Sequence, residues 1–391
     1  MNKVYRVVFN EITRTWTAVC EVARSRSKSS TTVKKLVKIA SALGMSGFLA
    51  SQAALAAEPP PTTLPTGGQV AAGVAQLMQG GSAQAPVLNI DQSSQRAVIN
   101  WGTFNVGAAA TVNFNQPNAQ AATLNRVRDM NPSYIYGKVN APGSLTFINP
   151  QGVYFGRSAV LDVGALTATT LNQTDDDFMQ GRAVFNRNGS TGEVVNEGEL
   201  RASLNGYIAM LAPRVRNEGL VIARQGTVVM AGGEQVRLEF DPSQKLAAIQ
   251  VTPSQIATLV ENKTAVQAPD GLIILSATAL DALTGQVINS GQLNASSLTH
   301  KGGRIMLEGG AITLTETSQI TATGATGGGE VLVGGDWQGG ANEERRVLDD
   351  PNAMVQATTV TMESGATIDA SATDNGQGGT VVLWSDVSNP N

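Results

Sequence analysis

The chain has 391 residues and a formal net charge of −4, with 42 glycines, 15% charged residues and 5% aromatic residues. It contains one cysteine, Cys20, and one histidine, His300, so we expect neither disulfides, nor zinc sites, nor histidine-based catalytic triads. Residues 1–56 hold nine Lys/Arg and two Asp/Glu, which leaves the remainder acidic. An acidic surface argues against nucleic-acid binding, because phosphate groups require clustered basic residues.

The basic leader has the features of an export signal. Three lysines at 34–38 precede the uncharged stretch 39–55, and Ala54 and Ala56 give the small-x-small pattern of a cleavage site. We expect general secretion machinery to recognise this segment and signal peptidase to cleave between Ala56 and Ala57. The stretch is too short and too polar for a membrane anchor. The sequence therefore predicts a secreted protein.

A proline-rich linker is expected at 57–68, followed by a first strand or cap at 69–95. Beyond it, short apolar runs alternate with Gly, Pro and Asn, a pattern that predicts short strands and tight turns. Residues 138–166 show this pattern most clearly, and no helix of ten residues fits between their breaks. The predicted strands are 70–74, 87–90, 98–101, 111–114, 122–127, 145–148, 153–155 and 159–163.

Two motifs recur downstream. Gly-x-(Ile/Val/Leu)-x-(Met/Leu/Val) begins at Gly206, Gly226, Gly271, Gly303, Gly329 and Gly379. A second unit of the form Asn/Glu-x-Gly begins at Asn196, Asn217, Asn289 and Glu363. The first copies lie about 20 residues apart, which predicts a solenoid. We expect a parallel β-helix, with Val, Ile and Leu stacked inside and with Gly and Asn at the corners, where they tolerate positive φ.

Longer spacings between later copies require excursions from the solenoid. The candidate excursions are 241–268 and 334–353, and the first of them could contain a short helix over 252–263. The sequence does not have the Gly-Gly-x-Gly-x-Asp nonapeptide of calcium-binding solenoids.

A polysaccharide-cleaving enzyme is the main alternative function, since exported parallel β-helices also serve as such enzymes. It would need two or three carboxylates on adjacent coils. Asp175, Asp176 and Asp177 form the acidic cluster in the first half of the chain. We expect them to lie in a solvated loop, as we do Asp349-Asp350, and we expect His300 to be a solvated turn residue. The sequence therefore predicts no enzyme, no cofactor and no metal site.

Two regions carry a family resemblance. The runs 2–10 and 16–21 resemble the extended signal-peptide region of large proteins exported by two-partner secretion and autotransporter systems. Residues 149–156, Asn-Pro-Gln-Gly-Val-Tyr-Phe-Gly, resemble the Asn-Pro-Asn-Gly-(Ile/Val)-x-Phe-Gly signature of filamentous-haemagglutinin-like exoproteins. The similarity extends through 113–117, 124–127, 131–133 and 162–170.

This resemblance assigns a secretion signature to Asn149, Pro150, Gln151, Gly152, Val153, Phe155 and Gly156. It departs from the family at Gln151, where a second Asn is usual, and the family's Asn-Pro-Asn-Leu motif has no clean copy. The resemblance implies a right-handed parallel β-helix with an N-terminal cap. It places the two-partner-secretion domain at 69–320 and a continuation of the β-helix at 321–391. The chain ends soon after a strand-like run at 381–384, which we interpret as truncation of a longer exoprotein.

The implied partner is an outer-membrane barrel transporter whose periplasmic domains recognise the chain while it is unfolded. The absence of cysteines beyond the leader fits this route, because a disulfide would obstruct passage through a pore. The resemblance also implies a secreted or cell-surface adhesin of the haemagglutinin type in a Gram-negative bacterium. An exoprotein that binds a haem carrier is a further alternative, and the ligand would be a host-surface molecule or a carrier protein.

Overall fold

The computed structural model describes residues 5–10, 15–20, 58–350 and 353–386 of a chain that divides into two units, Met1–Glu58 and Pro59–Asn391. In the first unit, β1 (Tyr5–Asn10) and β2 (Thr15–Cys20) pair as an antiparallel hairpin. The predicted cleavage residues Ala54, Ala56 and Ala57 lie outside the described residues. Within the described ranges, no helix is long and apolar enough to cross a membrane.

The second unit is built almost entirely of short strands. The strands before the first excursion are β3 (Gln69–Ala72), β4 (Ala75–Gly81), β5 (Pro86–Gln92), β6 (Arg96–Trp101), β7 (Thr111–Asn115), β8 (Ala122–Val127), β9 (Ser133–Ile135), β10 (Lys138–Ile148), β11 (Val153–Phe155) and β12 (Val160–Thr169). The next strands are β13 (Val184–Asn186), β14 (Glu193–Asn196), β15 (Glu199–Ala202), β16 (Tyr207–Leu211), β17 (Arg214–Asn217), β18 (Leu220–Ala223), β19 (Thr227–Gly232), β20 (Gln235–Phe240), β21 (Leu246–Thr252) and β22 (Thr258–Asn262). The last strands are β23 (Ala265–Gln267), β24 (Leu272–Ala277), β25 (Gly285–Asn289), β26 (Gln292–Asn294), β27 (Arg304–Gly309), β28 (Ala311–Leu314), β29 (Gln319–Thr321), β30 (Glu330–Val333), β31 (Thr359–Glu363), β32 (Thr367–Asp369) and β33 (Thr380–Leu383).

These strands form a parallel β-helix with three faces, as the sequence predicts. The first face contains β5, β7, β15, β18, β23, β26, β29 and β32, and the second contains β6, β8, β16, β19, β24, β27, β30 and β33. Strands β10 and β12 contribute to both of these faces, with a register shift between Ala141 and Ser144. The third face contains β9, β11, β14, β17, β22, β25, β28 and β31.

An antiparallel cap covers the N-terminal end of the β-helix. Strand β3 pairs antiparallel with β6, and β4 pairs antiparallel with β5. The cap occupies the free edges that β5 and β6 would otherwise expose, and it thereby prevents further strands from adding there. The expected cap at 69–95 is therefore present.

The core is a set of aliphatic columns that run through the coils. Val139, Leu161 and Leu200 stand in register on β10, β12 and β15, and all three side chains are buried. Because side chains alternate across a strand, every second residue joins such a column. Large aromatic side chains occur mainly in the coils nearest the cap, namely Trp101, Phe104, Phe114, Phe147 and Phe155.

The repeat glycines are required by close packing rather than by positive φ, which corrects the prediction. A Cβ on Gly226 would overlap the carbonyl oxygen of Gly206 in the preceding coil, and Gly271 lies against Gly226 in the same way. None of these three glycines has a positive φ. Glycine therefore allows adjacent coils to approach each other at this corner.

The repeat asparagines stand at the corners, as predicted, but with negative φ. Asn196 Oδ1 and Asn217 Oδ1 accept hydrogen bonds from the Gly198 and Gly219 amides at 3.1 and 3.3 Å, and the asparagine side chains also form a buried ladder. The Asn217 Nδ2 atom donates to Asn262 Oδ1 at 2.9 Å, and Asn262 donates to Asn289 at 2.8 Å. Asn196 donates to Asn217 at 2.8 Å, and Asn289 donates to Ser318 Oγ at 2.6 Å. All five side chains are fully buried, so water cannot hydrogen-bond to them and the ladder supplies their partners instead.

Two predictions about local structure are wrong. Residues 175–177 open a short helix, α1 (Asp175–Met179), whose N-cap is the Thr174 side chain, rather than a loop. The expected helix over 252–263 is absent: β21 ends at Thr252 and β22 (Thr258–Asn262) lies in the third face. The alternating burial of β22 shows that its apolar residues follow the strand period.

The observed excursions cover the outside of the second face. Strands β13, β20 and β21 form an antiparallel sheet, which packs on Ala209, Val229 and Ile274. The described part of the excursion expected at 334–353, residues 334–350 and 353, lies between β30 and β31 and contains a 3-10 turn, Trp337–Gly340. The excursion expected at 241–268 begins and ends earlier than predicted: its β20–β21 hairpin spans 235–252, and the chain has returned to the coils by β22.

Candidate functional site

The signature residues form the corner between the second and third faces, where β10 gives way to β11. Asn149 is fully buried at this corner. Its Oδ1 atom accepts a hydrogen bond from the Gln151 amide at 3.0 Å, and its Nδ2 atom donates to Asn131 O and Ser133 Oγ, both at 3.0 Å. One side chain thus joins two segments of the family motif, 131–133 and 149–156.

The tight turn after Asn149 depends on glycine. The Gly152 amide donates to Asn149 O at 3.0 Å, and Gly152 has a φ of 136°, in the region that side chains disfavour. Pro150 and Gln151 are exposed at the tip of the turn. Gln151 does not have a positive φ and caps nothing, so its departure from the family's Asn leaves the turn unchanged.

The end of the signature is a core strand. Val153 and Phe155 point inward and are buried, and β11 is the strand predicted at 153–155. Gly156 faces the ring of Tyr136, which a Cβ at this position would overlap. Phe155 stands in register with Asn196, so the asparagine ladder begins one coil after the signature.

A tyrosine patch, consisting of Tyr134, Tyr136 and Tyr154, lies on the outer surface beside this corner. The Tyr154 ring centroid is 5.9 Å from that of Tyr134 and 5.8 Å from that of Tyr136. Burial, together with the Glu197 carboxylate beside it, raises the pKa of Tyr154 above its usual range. Tyr154 therefore stays neutral at physiological pH, and the patch was not identified from the sequence.

The other motif segments support neighbouring coils rather than the signature corner. Asn125 accepts a hydrogen bond from Trp101 Nε1 at 3.0 Å, and Asn113 links to Asn89 and Asn140 at 3.0 and 2.9 Å. Gln116 is buried and connects two coils through Thr123 and the Gly143 amide, both at 2.8 Å. Sequence reasoning transferred no role to Gln116, because residues 115–118 are not a clean copy of the family's Asn-Pro-Asn-Leu motif.

The candidate catalytic groups are occupied by other interactions. Asp175 pairs with Arg126, and Asp176 and Asp177 pair with Arg182 at 2.7 and 2.6 Å. His300 is 75% exposed, as expected for a turn residue. Among the residues that the structure describes, no group of three or more His, Cys, Asp or Glu could hold a metal ion.

Comparison with known families identifies two regions of the chain. The TPS secretion domain model matches residues 60–322, and the model of the extended signal peptide of the type V secretion system matches residues 1–50. The secretion domain of HMW1 from Haemophilus influenzae superimposes with a TM-score of 0.58 at 22% identity, covering 79% of this chain and 84% of that one. That likeness supports the fold.

The curated relatives are two proteins named heme/hemopexin-binding protein from Haemophilus influenzae. One is 29% identical over 265 residues, covering 66% of this chain and 28% of that protein. The other is 28% identical over 271 residues, covering 63% and 29%. The chain thus spans less than a third of the length of these relatives.

The two matched regions together define the export route. A type V signal region followed by a TPS domain is carried by proteins that leave Gram-negative bacteria through the periplasm and the outer membrane, and the TPS domain implies an outer-membrane transporter partner. The chain belongs to the TPS secretion domain family, the two-partner-secretion exoproteins.

Proposed function

We propose that residues 69–320 direct export through a dedicated outer-membrane barrel transporter, whose periplasmic domains bind the chain before it folds. In this proposal the general secretion machinery delivers the chain to the periplasm, and signal peptidase removes residues 1–56 after Ala56. We also propose that residues 57–68 are a linker and that residues 321–391 continue the β-helix. The family match to the TPS secretion domain is the observation that carries this proposal.

We assign two roles within the signature. Asn149, Gly152, Val153, Phe155 and Gly156 shape the corner of the folded coil, as their burial and contacts suggest. Pro150 and Gln151 contribute nothing to the core, because both are exposed. Because the folded coil does not require their side chains, we propose that these two residues serve recognition of the unfolded chain by the transporter.

Alanine substitution at both exposed positions tests this division of roles. The variant Pro150→Ala/Gln151→Ala should lower the secreted amount at least several-fold while the urea midpoint of the purified protein stays unchanged. Gln250→Ala is the matched control, since Gln250 is an exposed glutamine on the β20–β21 hairpin. Normal secretion of the double variant would remove Pro150 and Gln151 from the transporter contact.

For the whole exoprotein we propose a binding role of the adhesin or haemagglutinin type, without enzymatic activity. Binding of a haem carrier is the second candidate, and it is favoured by the two curated relatives, which are named heme/hemopexin-binding proteins. Titration of the secreted protein with haem-loaded hemopexin, compared with an erythrocyte agglutination assay, separates the two candidates. Saturable binding of the loaded carrier without agglutination would favour the second.

A further inference from the structure

A groove on the second face is not used by the proposed export function. It encloses about 400 Å³, within the range of small-molecule sites. Its floor consists of small outward side chains from three successive coils, namely Ala122, Ser144, Thr146, Ala165 and Thr167. It runs from Arg96 on β6 to Tyr207 on β16, which is four strand spacings or roughly 19 Å.

Two buried polar groups in the groove have no partner. The Thr167 side chain is 1% exposed and its Oγ1 atom makes no hydrogen bond. Gln173 is 3% exposed; its Nε2 atom donates to Arg182 O at 2.6 Å, but its Oε1 atom accepts nothing. Because buried polar atoms are nearly always paired, these two indicate a polar occupant that offers hydroxyl groups.

Aromatic rings line the sides of the groove. Phe178 of α1 and Phe185 of β13 lie on its lining, and the Tyr207 and Phe240 rings meet edge to face at 5.5 Å. Phe178 and Phe185 are buried, whereas Tyr207 and Phe240 are partly exposed and offer apolar surface beside the polar side chains, a combination that suits a ligand with apolar faces and polar edges.

One cation at the end of the groove has no carboxylate partner within the described part of the chain. Arg96 Nη1 donates to Phe178 O at 3.1 Å, and the guanidinium lies 5.5 Å from the Phe178 ring centre. Arg182, in contrast, is neutralised by Asp176 and Asp177. The remaining donors of Arg96 match a carboxylate, which arginine binds through two parallel hydrogen bonds.

We propose that this groove binds a short oligosaccharide with an acidic sugar against Arg96 and with hydroxyl groups on Thr167 and Gln173. An added peptide strand does not fit, because β8, β10 and β12 already pair on both sides. The groove binds without cleaving, since no carboxylate is found among the described residues that line it.

The test measures binding of a panel of probes to the purified full chain by calorimetry. The panel contains trigalacturonic acid, a hyaluronan tetrasaccharide and neutral maltotriose. At least one acidic probe should bind saturably and at least tenfold more tightly than maltotriose. Thr167→Val should weaken that binding roughly tenfold, the effect of one buried hydrogen bond. Arg96→Gln should abolish the preference for the acidic probe.

The matched control is Thr170→Val. Thr170 is equally buried and its Oγ1 is equally unpartnered, but it does not line the groove. It should leave affinity unchanged, and neither valine variant should lower the urea midpoint. Three results would overturn the proposal: no saturable binding of any acidic probe, equal affinities of the Thr167 and Thr170 variants, or a lower midpoint for Thr167→Val alone, which would identify an ordered water as the occupant. All of them leave the export proposal intact.

Discussion

Glu308 is a buried carboxyl group on the outer side of β27. It is 5% exposed, and its Oε2 atom accepts a hydrogen bond from Ser276 Oγ at 2.9 Å. Met306, two residues earlier on the same side, packs with Leu348 and Met354 of an excursion. Burial raises the pKa of Glu308 to about 7, and the Ser276 hydroxyl only partly offsets this effect.

This shift predicts that the protein loses stability as pH rises. The native state holds the Glu308 proton up to about pH 7, whereas the unfolded chain releases it near pH 4.5. The free energy of unfolding should therefore fall by about 3 kcal/mol in total between about pH 4.5 and pH 7 because of this group, and this contribution should level off above pH 7, where both states have released the proton. Urea unfolding at pH 4, 5.5, 7 and 8.5 measures the change.

Glu308→Gln is the control for this prediction. It keeps the shape and the hydrogen bond with Ser276 but does not titrate, so its unfolding free energy should lack this component of the pH slope. At pH 8 the variant should be more stable than the parent. Identical slopes for the two proteins would show that Glu308 is ionised in the native state.

Single residues of the signature could be predicted only in part. The run 149–156 indicated a turn followed by a strand, and the structure contains both. The sequence could not show that Asn149 binds Asn131 and Ser133, since those contacts depend on the stacking of coils. The role expected for a second Asn at Gln151 is absent, because Gly152 alone has the positive φ.

At the scale of elements, the asparagine ladder links four coils through their interior. Each amide donates to the next coil, so a coil is fully hydrogen-bonded only after its successor has docked. Such an arrangement favours addition of coils in order, which suits a chain that emerges from a transporter.

Asn217→Ala tests the ladder. The substitution leaves Asn196 Nδ2, Asn262 Oδ1 and the Gly219 amide without their partners, and it should lower the free energy of unfolding by about 3 kcal/mol. Asn113→Ala is the matched control, because Asn113 belongs to a similar ladder on the outer surface, where water replaces the lost bonds. The control should cost less than about 1 kcal/mol. Equal losses in urea unfolding would contradict the role of burial.

The elements that the sequence misassigned have a common cause. Residues 252–263 contain too few apolar positions to distinguish the helical period from the strand period. Strand β22 forms there because it pairs with β17 and β25. The stacking of the asparagines could not be predicted from the sequence, because successive members of the ladder are 21, 45 and 27 residues apart. The excursions between coils cause that irregular spacing.

At the scale of the whole molecule, the low aromatic content of 5% follows from the narrow core of the β-helix. A narrow solenoid core is filled by Val, Ile and Leu, and the large aromatic side chains collect near the cap. The β-helix was therefore predictable from repeats and composition and its cap from the family resemblance, whereas the bounds of the first excursion and the groove were not. Those features depend on residues that meet only after the coils have stacked.

Dependence of secretion on the transporter tests the central claim most directly. The full chain would be followed by immunoblot in the culture supernatant of the native bacterium, with and without the gene for its two-partner barrel transporter. We expect the secreted protein to disappear on deletion, to accumulate in the periplasm and to return when the transporter gene is restored. Unchanged amounts in the supernatant of the deletion strain would contradict the account.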